Sequence, residues 1–199
     1  MKLITISGLD GSGKSTQVEL LEKKLKKKGF NIYRFHVISF SLANKILKPG
    51  KNNPGEAKSK TAASKRSIFL RKISLLIDIF RFRHFYLMKN YRKKYDFILA
   101  DRYFYDQIAN IKFLENNACK KIPLWQKIAE KYTVNPHQSI YLKITPEEIL
   151  KRDREIEQGR EYLLKKGKIY EKFATRWNLR VLDASQDKKT IHKKINEYI

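Results

Sequence analysis

Gly8-Leu9-Asp10-Gly11-Ser12-Gly13-Lys14-Ser15-Thr16 decides how the chain is read. A glycine, four residues and then Gly-Lys-Ser is the phosphate-loop pattern. The context fits it. Before the loop, Leu3-Ile4-Thr5-Ile6 is a short apolar run with β-branched residues, of the kind that forms a buried strand. After it, Val18, Leu21 and Leu25 share one face of a helix expected from Lys14 to Lys28. A strand, a glycine turn and a helix start bring backbone N–H groups and the positive end of a helix dipole to one point, which suits a polyphosphate. Lys14 is placed to reach the β- and γ-phosphates, and the Ser15 hydroxyl to face Mg²⁺. Gly8, Leu9, Asp10, Gly11, Ser12, Gly13, Lys14, Ser15 and Thr16 are therefore the expected nucleotide cradle.

The chain has 199 residues, 42% of them hydrophobic, enough for one domain with a sizeable core. The single cysteine, Cys119, excludes an internal disulfide and a cysteine-based metal site, and fits a reducing cytosol. A strand that begins at Leu3 and runs into the phosphate loop leaves no room for a signal peptide, and there is no apolar run long enough to span a bilayer. The expected location is cytoplasmic. With 44 basic residues against 20 acidic ones, the formal charge is +24, a field that attracts polyanions. Most of the excess is lysine scattered over predicted helix faces, and no nucleic-acid motif has a recognised spacing. A solvated basic surface is the preferred reading over a nucleic-acid partner.

Strand and helix patterns alternate along the chain. Asn31 to Ile38 reads as the second strand, and Gly29 sits where a helix C-cap would. Residues 47–60, rich in Lys, Asn, Pro and Gly, read as a mobile basic loop. Ser67 to Tyr95 is a long helical pattern, long enough that a break inside it is plausible. Phe97-Ile98-Leu99-Ala100 is the third strand and ends in Asp101-Arg102-Tyr103. Pro123 starts another helix, and Ser139-Ile140-Tyr141-Leu142 is the fourth strand. Thr145-Pro146-Glu147-Glu148 is an N-cap with proline at the first helical position, and that helix is expected to carry Lys151, Arg152, Arg154 and Arg160. After a helix from Glu161 to Arg176, Leu179-Arg180-Val181-Leu182 is the fifth strand, followed by Asp183-Ala184-Ser185-Gln186 and a closing helix. This alternation calls for an α/β three-layer sandwich, a five-stranded parallel sheet flanked by helices. Ligands in such sheets sit at the carboxyl ends of the strands, where the phosphate loop, Asp101-Arg102 and Asp183 to Gln186 all fall.

The loop's chemistry narrows by what surrounds it. The Asn-Lys-x-Asp motif of base-reading GTPases is missing, and Asp101 is followed by a cation, Arg102, where water-activating ATPases usually have a glutamate. A cation there suits neutralising a phosphoryl group in flight. Arg152 and Arg154, in a lid expected near 151–161, could close over the cleft and exclude water.

Together these residues resemble the thymidylate kinase family. The resemblance rests on Gly8 through Thr16 with Gln17, on Asp101-Arg102-Tyr103, on Tyr141-Leu142 followed by Thr145-Pro146-Glu147, and on Asp183-Ala184-Ser185-Gln186. They occur in the family's order and span nearly the whole chain. The resemblance implies a nucleoside monophosphate kinase fold, transfer from ATP to dTMP with Mg²⁺, and a homodimer built on helix faces. It implies Asp10 near the acceptor's sugar, with Arg34, Arg81, Arg102 and Tyr103 also on the acceptor side. It implies Ser15 and Asp101 at the metal, and Ala184 and Gln186 beside the adenine. Catalytic roles fall to Asp10, Lys14, Arg102, Arg152 and Arg154.

The acceptor half departs from the family pattern. Arg34-Phe35-His36-Val37 lacks the proline of the family's segment after the second strand. The base-stacking Phe falls at Ile77, and the family's Ser and Ala-Tyr-Gln become Asp106 and Ala109-Asn110-Ile111. Two other readings stay beside dTMP phosphorylation. One is a kinase of this fold acting on a sugar or lipid-linked acceptor. The other is a nucleic-acid-binding or regulatory phosphate-loop protein. Membrane contact through the basic aromatic run Phe80 to Tyr86 ranks below a packed helix, because aromatics at helical spacing are usually core.

Overall fold

A computed structural model describes residues 1–42, 64–115, 122–152 and 159–199. The apolar run at the amino end forms strand β1 (Lys2–Gly8), in which every residue after Lys2 is buried. A strand with no solvent-facing side must be covered on both faces. It lies at the centre of a sheet completed by β2 (Ile32–His36), β3 (Phe97–Asp101), β4 (Gln138–Lys143) and β5 (Arg180–Asp183). The order is β2-β3-β1-β4-β5, and every ladder is parallel.

Parallel neighbours need crossover connections. The described helices are α1 (Lys14–Lys27), α2 (Val37–Phe40), α3 (Lys65–Tyr91), α4 (Phe104–Glu115), α5 (Leu124–Tyr132), α6 (Pro146–Leu150), α7 (Arg160–Arg176) and α8 (Lys188–Asn196). Helix α1 packs on α8, while α4 packs on both α3 and α7. This is the layered α/β architecture that the alternation calls for. The chain leaves β1 towards β2 and leaves β4 towards β5, on opposite sides, so a crevice opens at the carboxyl ends of β1 and β4.

Several boundaries differ from the sequence reading. Strand β2 stops at His36 because Val37 turns into a single turn of helix and is itself fully buried. Helix α3 runs unbroken, and its sequence holds no glycine or proline to interrupt it. Thr145 is the expected N-cap, and it forms a capping box with Glu148, but α6 ends at Leu150. Arg152 has left the helical path to bond elsewhere, and Arg160 opens α7 instead of closing α6. The basic loop expected at 47–60, Cys119, Arg154 and residues 153–158 of the expected lid lie outside the described residues. Phe82 in the basic aromatic run is fully buried against Phe35, with ring centres 4.5 Å apart, and Phe85 and Tyr86 are partly buried against the same core, while Phe80 is exposed. Among the described residues no helix is long and apolar enough to cross a membrane.

One buried carboxylate joins three parts of this framework. Asp106 accepts from Ser7 Oγ of β1 at 2.7 Å, from the Tyr103 N–H at 2.8 Å and from the Tyr170 hydroxyl of α7 at 2.6 Å. Each donor is buried and would lose its partner together with the carboxylate. Asp106→Ala is expected to lower the unfolding free energy by ~2–4 kcal/mol, read by urea denaturation. A variant as stable as the wild type would remove Asp106 from this role.

Candidate active site

The phosphate loop is shaped by close approaches that only glycine permits. A Cβ on Gly8 would stand 2.8 Å from the Leu142 carbonyl oxygen of β4. Gly13 opens α1 with φ 91°, in the left-handed region that glycine takes without strain. Lys14, the next residue, is only 5% exposed. Its ammonium donates to the Leu9 carbonyl and stands 3.4 Å from Ser12 Oγ. Burial and the neighbouring Arg102 guanidinium bring its pKa down to about 7. A phosphate placed beside it would favour the charged form.

The cation facing this loop comes from β3. Arg102, directly after the strand, has φ 69°, and its N–H donates to the Ile6 carbonyl at 3.2 Å. A left-handed non-glycine residue costs ~1–2 kcal/mol, and such strain concentrates at functional sites. Here the turn brings the guanidinium onto the Asp10 carboxylate as a charge-assisted hydrogen bond. Burial opposes the charge on Asp10, but Arg102, Lys166 and Lys14 outweigh it and hold the carboxyl below its usual range. Burial opposes the charge on Arg102 as well, and Asp10 and Asp106 overcome it, so the guanidinium is held charged.

Asp101 is buried at the end of β3. One carboxylate oxygen lies 3.6 Å from Arg34; the other, Oδ1, is buried without a hydrogen-bond partner. An orphaned carboxylate oxygen suits a divalent cation or its water shell. Ser15 is exposed on the first turn of α1. One carboxylate, one hydroxyl, substrate oxygens and water form the kind of set that holds Mg²⁺, which rarely takes an all-protein cage. Among the described residues no cluster of His, Cys, Asp or Glu forms such a cage. Thr16 is also exposed on that first turn.

Arg152 links the loop to the far edge of the sheet. It donates to the Gly11 carbonyl at 3.0 Å and to the Ala184 carbonyl. The segment after β5 is ordered by its own side chains: Asp183 accepts from Ser185 and from the Gln186 amide at 3.3 Å, and Gln186 accepts from Lys194 at 2.9 Å.

A cavity of about 400 Å³ opens beside Asp10 and Arg102, of a size that takes a small ligand. Val37, Ile38 and Ser41 form one wall, with Arg71 of α3. Asp106, Gln107, Asn110 and Ile111 of α4 and Tyr162 and Lys166 of α7 form the rest.

Of the residues expected on the acceptor side, Asp10 and Arg102 line this cavity. Arg34 stands beyond it, beside Asp101 and within 3.6 Å of Glu19. Tyr103 is a correction: its ring is fully buried in the aromatic core, and its hydroxyl donates to the Val134 carbonyl at 2.6 Å. Arg81 is a second correction. It is tied to Asp78 at 2.7 Å and stacked over the Phe40 ring at 4.6 Å, and it is not among the residues that line the cavity. The α3 arginine on the wall is Arg71, whose Nε is buried without a partner.

Sequence reading also passed over Lys166, which looked like one of many solvated lysines. A signal was present. Leu163, Lys166, Tyr170 and Phe173 fall at three- and four-residue spacing on the buried face of α7. A lysine in an apolar stripe is out of pattern.

A model of the thymidylate kinase family matches residues 6–195. A probable thymidylate kinase of Methanocaldococcus jannaschii is 30% identical, over 98% of this chain and 93% of that protein. A thymidylate kinase of Campylobacter hominis is 31% identical, over 99% of each. The crystal structure of a thymidylate kinase from Ehrlichia chaffeensis superposes with a TM-score of 0.58 at 16% identity, covering 98% of this chain and 97% of that one, which is likeness of fold. With its glycine-cradled lysine, the cation across from it and a match over nearly its whole length, the chain belongs to the thymidylate kinase family of nucleoside monophosphate kinases.

Proposed function

We propose that this enzyme transfers the γ-phosphoryl group of ATP to dTMP with Mg²⁺. The observation that carries the reading is the pairing of Asp10 with Arg102 at the mouth of the cavity, next to buried Lys14. It puts a phosphate cradle and an acceptor-sized space on either side of one guanidinium. The loop amides and Lys14 hold the β- and γ-phosphates. Ser15 and Asp101 would hold Mg²⁺, which would supply neutralisation of charge on those phosphates. Arg102 turns from Asp10 to the equatorial oxygens as charge spreads over them in the transition state. Asp10 then accepts from the acceptor's sugar. Arg152 holds the loop against the Ala184 segment, so that adenine and phosphates are placed together.

A different acceptor has one observation in its favour. Ile77 is 45% exposed and does not line the cavity, so α3 offers no ring for a base to stack on. A panel of nucleoside monophosphates and phosphosugars in a coupled assay decides between the two.

The partner we propose is a second copy of the chain. Phe69, Ile73, Ile77, Phe80 and Leu87 are all exposed along α3 at close to helical spacing. Such a stripe is the seam that two packed helices bury. The setting we propose for this dimer is cytoplasmic.

With dTMP as acceptor, Lys14→Ala and Arg102→Ala are each expected to lower kcat ~10³-fold or more. Lys14→Ala should not change the dTMP Kd by more than about threefold, because Lys14 acts mainly on the group in transfer and does not line the acceptor cavity. A large rise in Kd with normal kcat would contradict the assignment. Arg152→Met is expected to raise the KM for ATP about tenfold and leave that for dTMP nearly unchanged. Sedimentation of the Ile73→Asp, Ile77→Asp double variant should show a monomer where the wild type shows a dimer; an unaltered dimer would place the interface elsewhere.

A further inference from the structure

Helix α7 brings a second buried lysine to the cavity. Lys166 lies on the apolar face of α7 and is only 5% exposed. The helix is held close to the phosphate loop there: a Cβ on Gly167 would stand 3.7 Å from Leu9 Cδ1. The Lys166 ammonium donates to the Tyr162 hydroxyl and stands 4.9 Å from the centre of that ring. It forms no ion pair with a carboxylate among the described residues. Asp10 and Asp106 attract it from farther off, Arg102 repels it, and burial lowers its pKa.

This is an unfavourable place for a cation. An ammonium taken out of water needs a charged partner, and a neutral hydroxyl is a poor substitute. An apolar residue at this position would simply continue the stripe of Leu163, Tyr170 and Phe173. The imbalance disappears when a ligand brings a negative charge into the cavity. Lys166, Arg102 and Asp10 share that cavity's wall, so an anion between the two cations meets both.

We propose that Lys166 is a specificity-determining residue that receives the acceptor's own phosphomonoester, leaving Arg102 for the phosphoryl group in transfer. The inference rests on dTMP being the acceptor. A lysine suits the task, because three donors on a flexible stem can follow a phosphate whose charge and geometry change during transfer. It also makes the pocket discriminate against a nucleoside that lacks the phosphate, since the ammonium would then remain buried opposite a neutral ligand.

The test is calorimetric binding of dTMP, thymidine and ATP to the wild type and to Lys166→Met and Lys166→Arg. The Met variant is expected to bind dTMP about 10- to 100-fold more weakly, and thymidine within about threefold of the wild type. ATP affinity should not change, and the Arg variant should recover most of the loss. In steady state the KM for dTMP rises more than kcat falls. Equal losses for dTMP and thymidine would make Lys166 a structural residue and overturn the proposal, as would unchanged dTMP binding. Lys166→Gln removes the charge while keeping a donor to Tyr162, and gives the same comparison should the Met variant fold poorly, which loss of ATP binding would reveal. A wild type that binds neither dTMP nor thymidine overturns dTMP as the acceptor, an outcome distinct from a wild type that binds dTMP without help from Lys166.

Discussion

The contact between Asp10 and Arg102 is the constraint on which the site depends. It joins two loops that follow strands of different parts of the chain. The loops meet because β1 and β3 are adjacent and parallel, with Ile6 opposite Asp101. A slip of one residue in that register would turn the end of β3 over and send the cation to the other side of the sheet. The left-handed backbone at Arg102 is part of the same constraint, since it swings the chain from the strand towards the phosphate loop. Register, strain and ion pair together set where the phosphoryl group can be stabilised.

The basic character of the chain has two separate meanings. Among the described residues most lysines and arginines on the helices are exposed to water, where screening makes their field weak. The charges in the cleft are few, and most of them are set against specific partners. Asp10 faces Arg102, Asp101 faces Arg34, and Asp106 is held by hydroxyls and an amide. Low dielectric strengthens each of these interactions, so local placement rather than net charge gives the cleft its preference for phosphate.

Most of the fold was legible because its signals are local. A glycine loop between a buried strand and a helix, the Thr145 N-cap and the apolar runs at Phe97 and Ile140 each read from a few neighbouring residues. The expected phosphate-side groups were read in the same way, since they belong to those same short motifs. The acceptor side was harder to read. It is assembled from α3, α4 and α7, whose mutual positions depend on loop lengths and packing. Counting along one segment therefore reached Arg81, while packing put Arg71 on the wall. Tyr103 follows Arg102 in sequence yet points into the core, because the left-handed turn reverses the side on which the next residue emerges. Lys166 was hidden by the number of lysines around it, although its spacing marked it.

Asp106 belongs to both halves of this description. It lines the cavity that takes the ligand, and it also fastens β1, the turn after β3 and α7 to one another. Its neighbours Gln107, Asn110 and Ile111 line the same cavity and fasten nothing comparable. Over evolutionary time the two kinds of position are not equally free. A lineage can retune which molecule it accepts by drifting at the neighbours, whereas change at Asp106 requires compensation in three distant segments at once. Diversity among descendants of this chain should therefore gather around a carboxylate that stays in place.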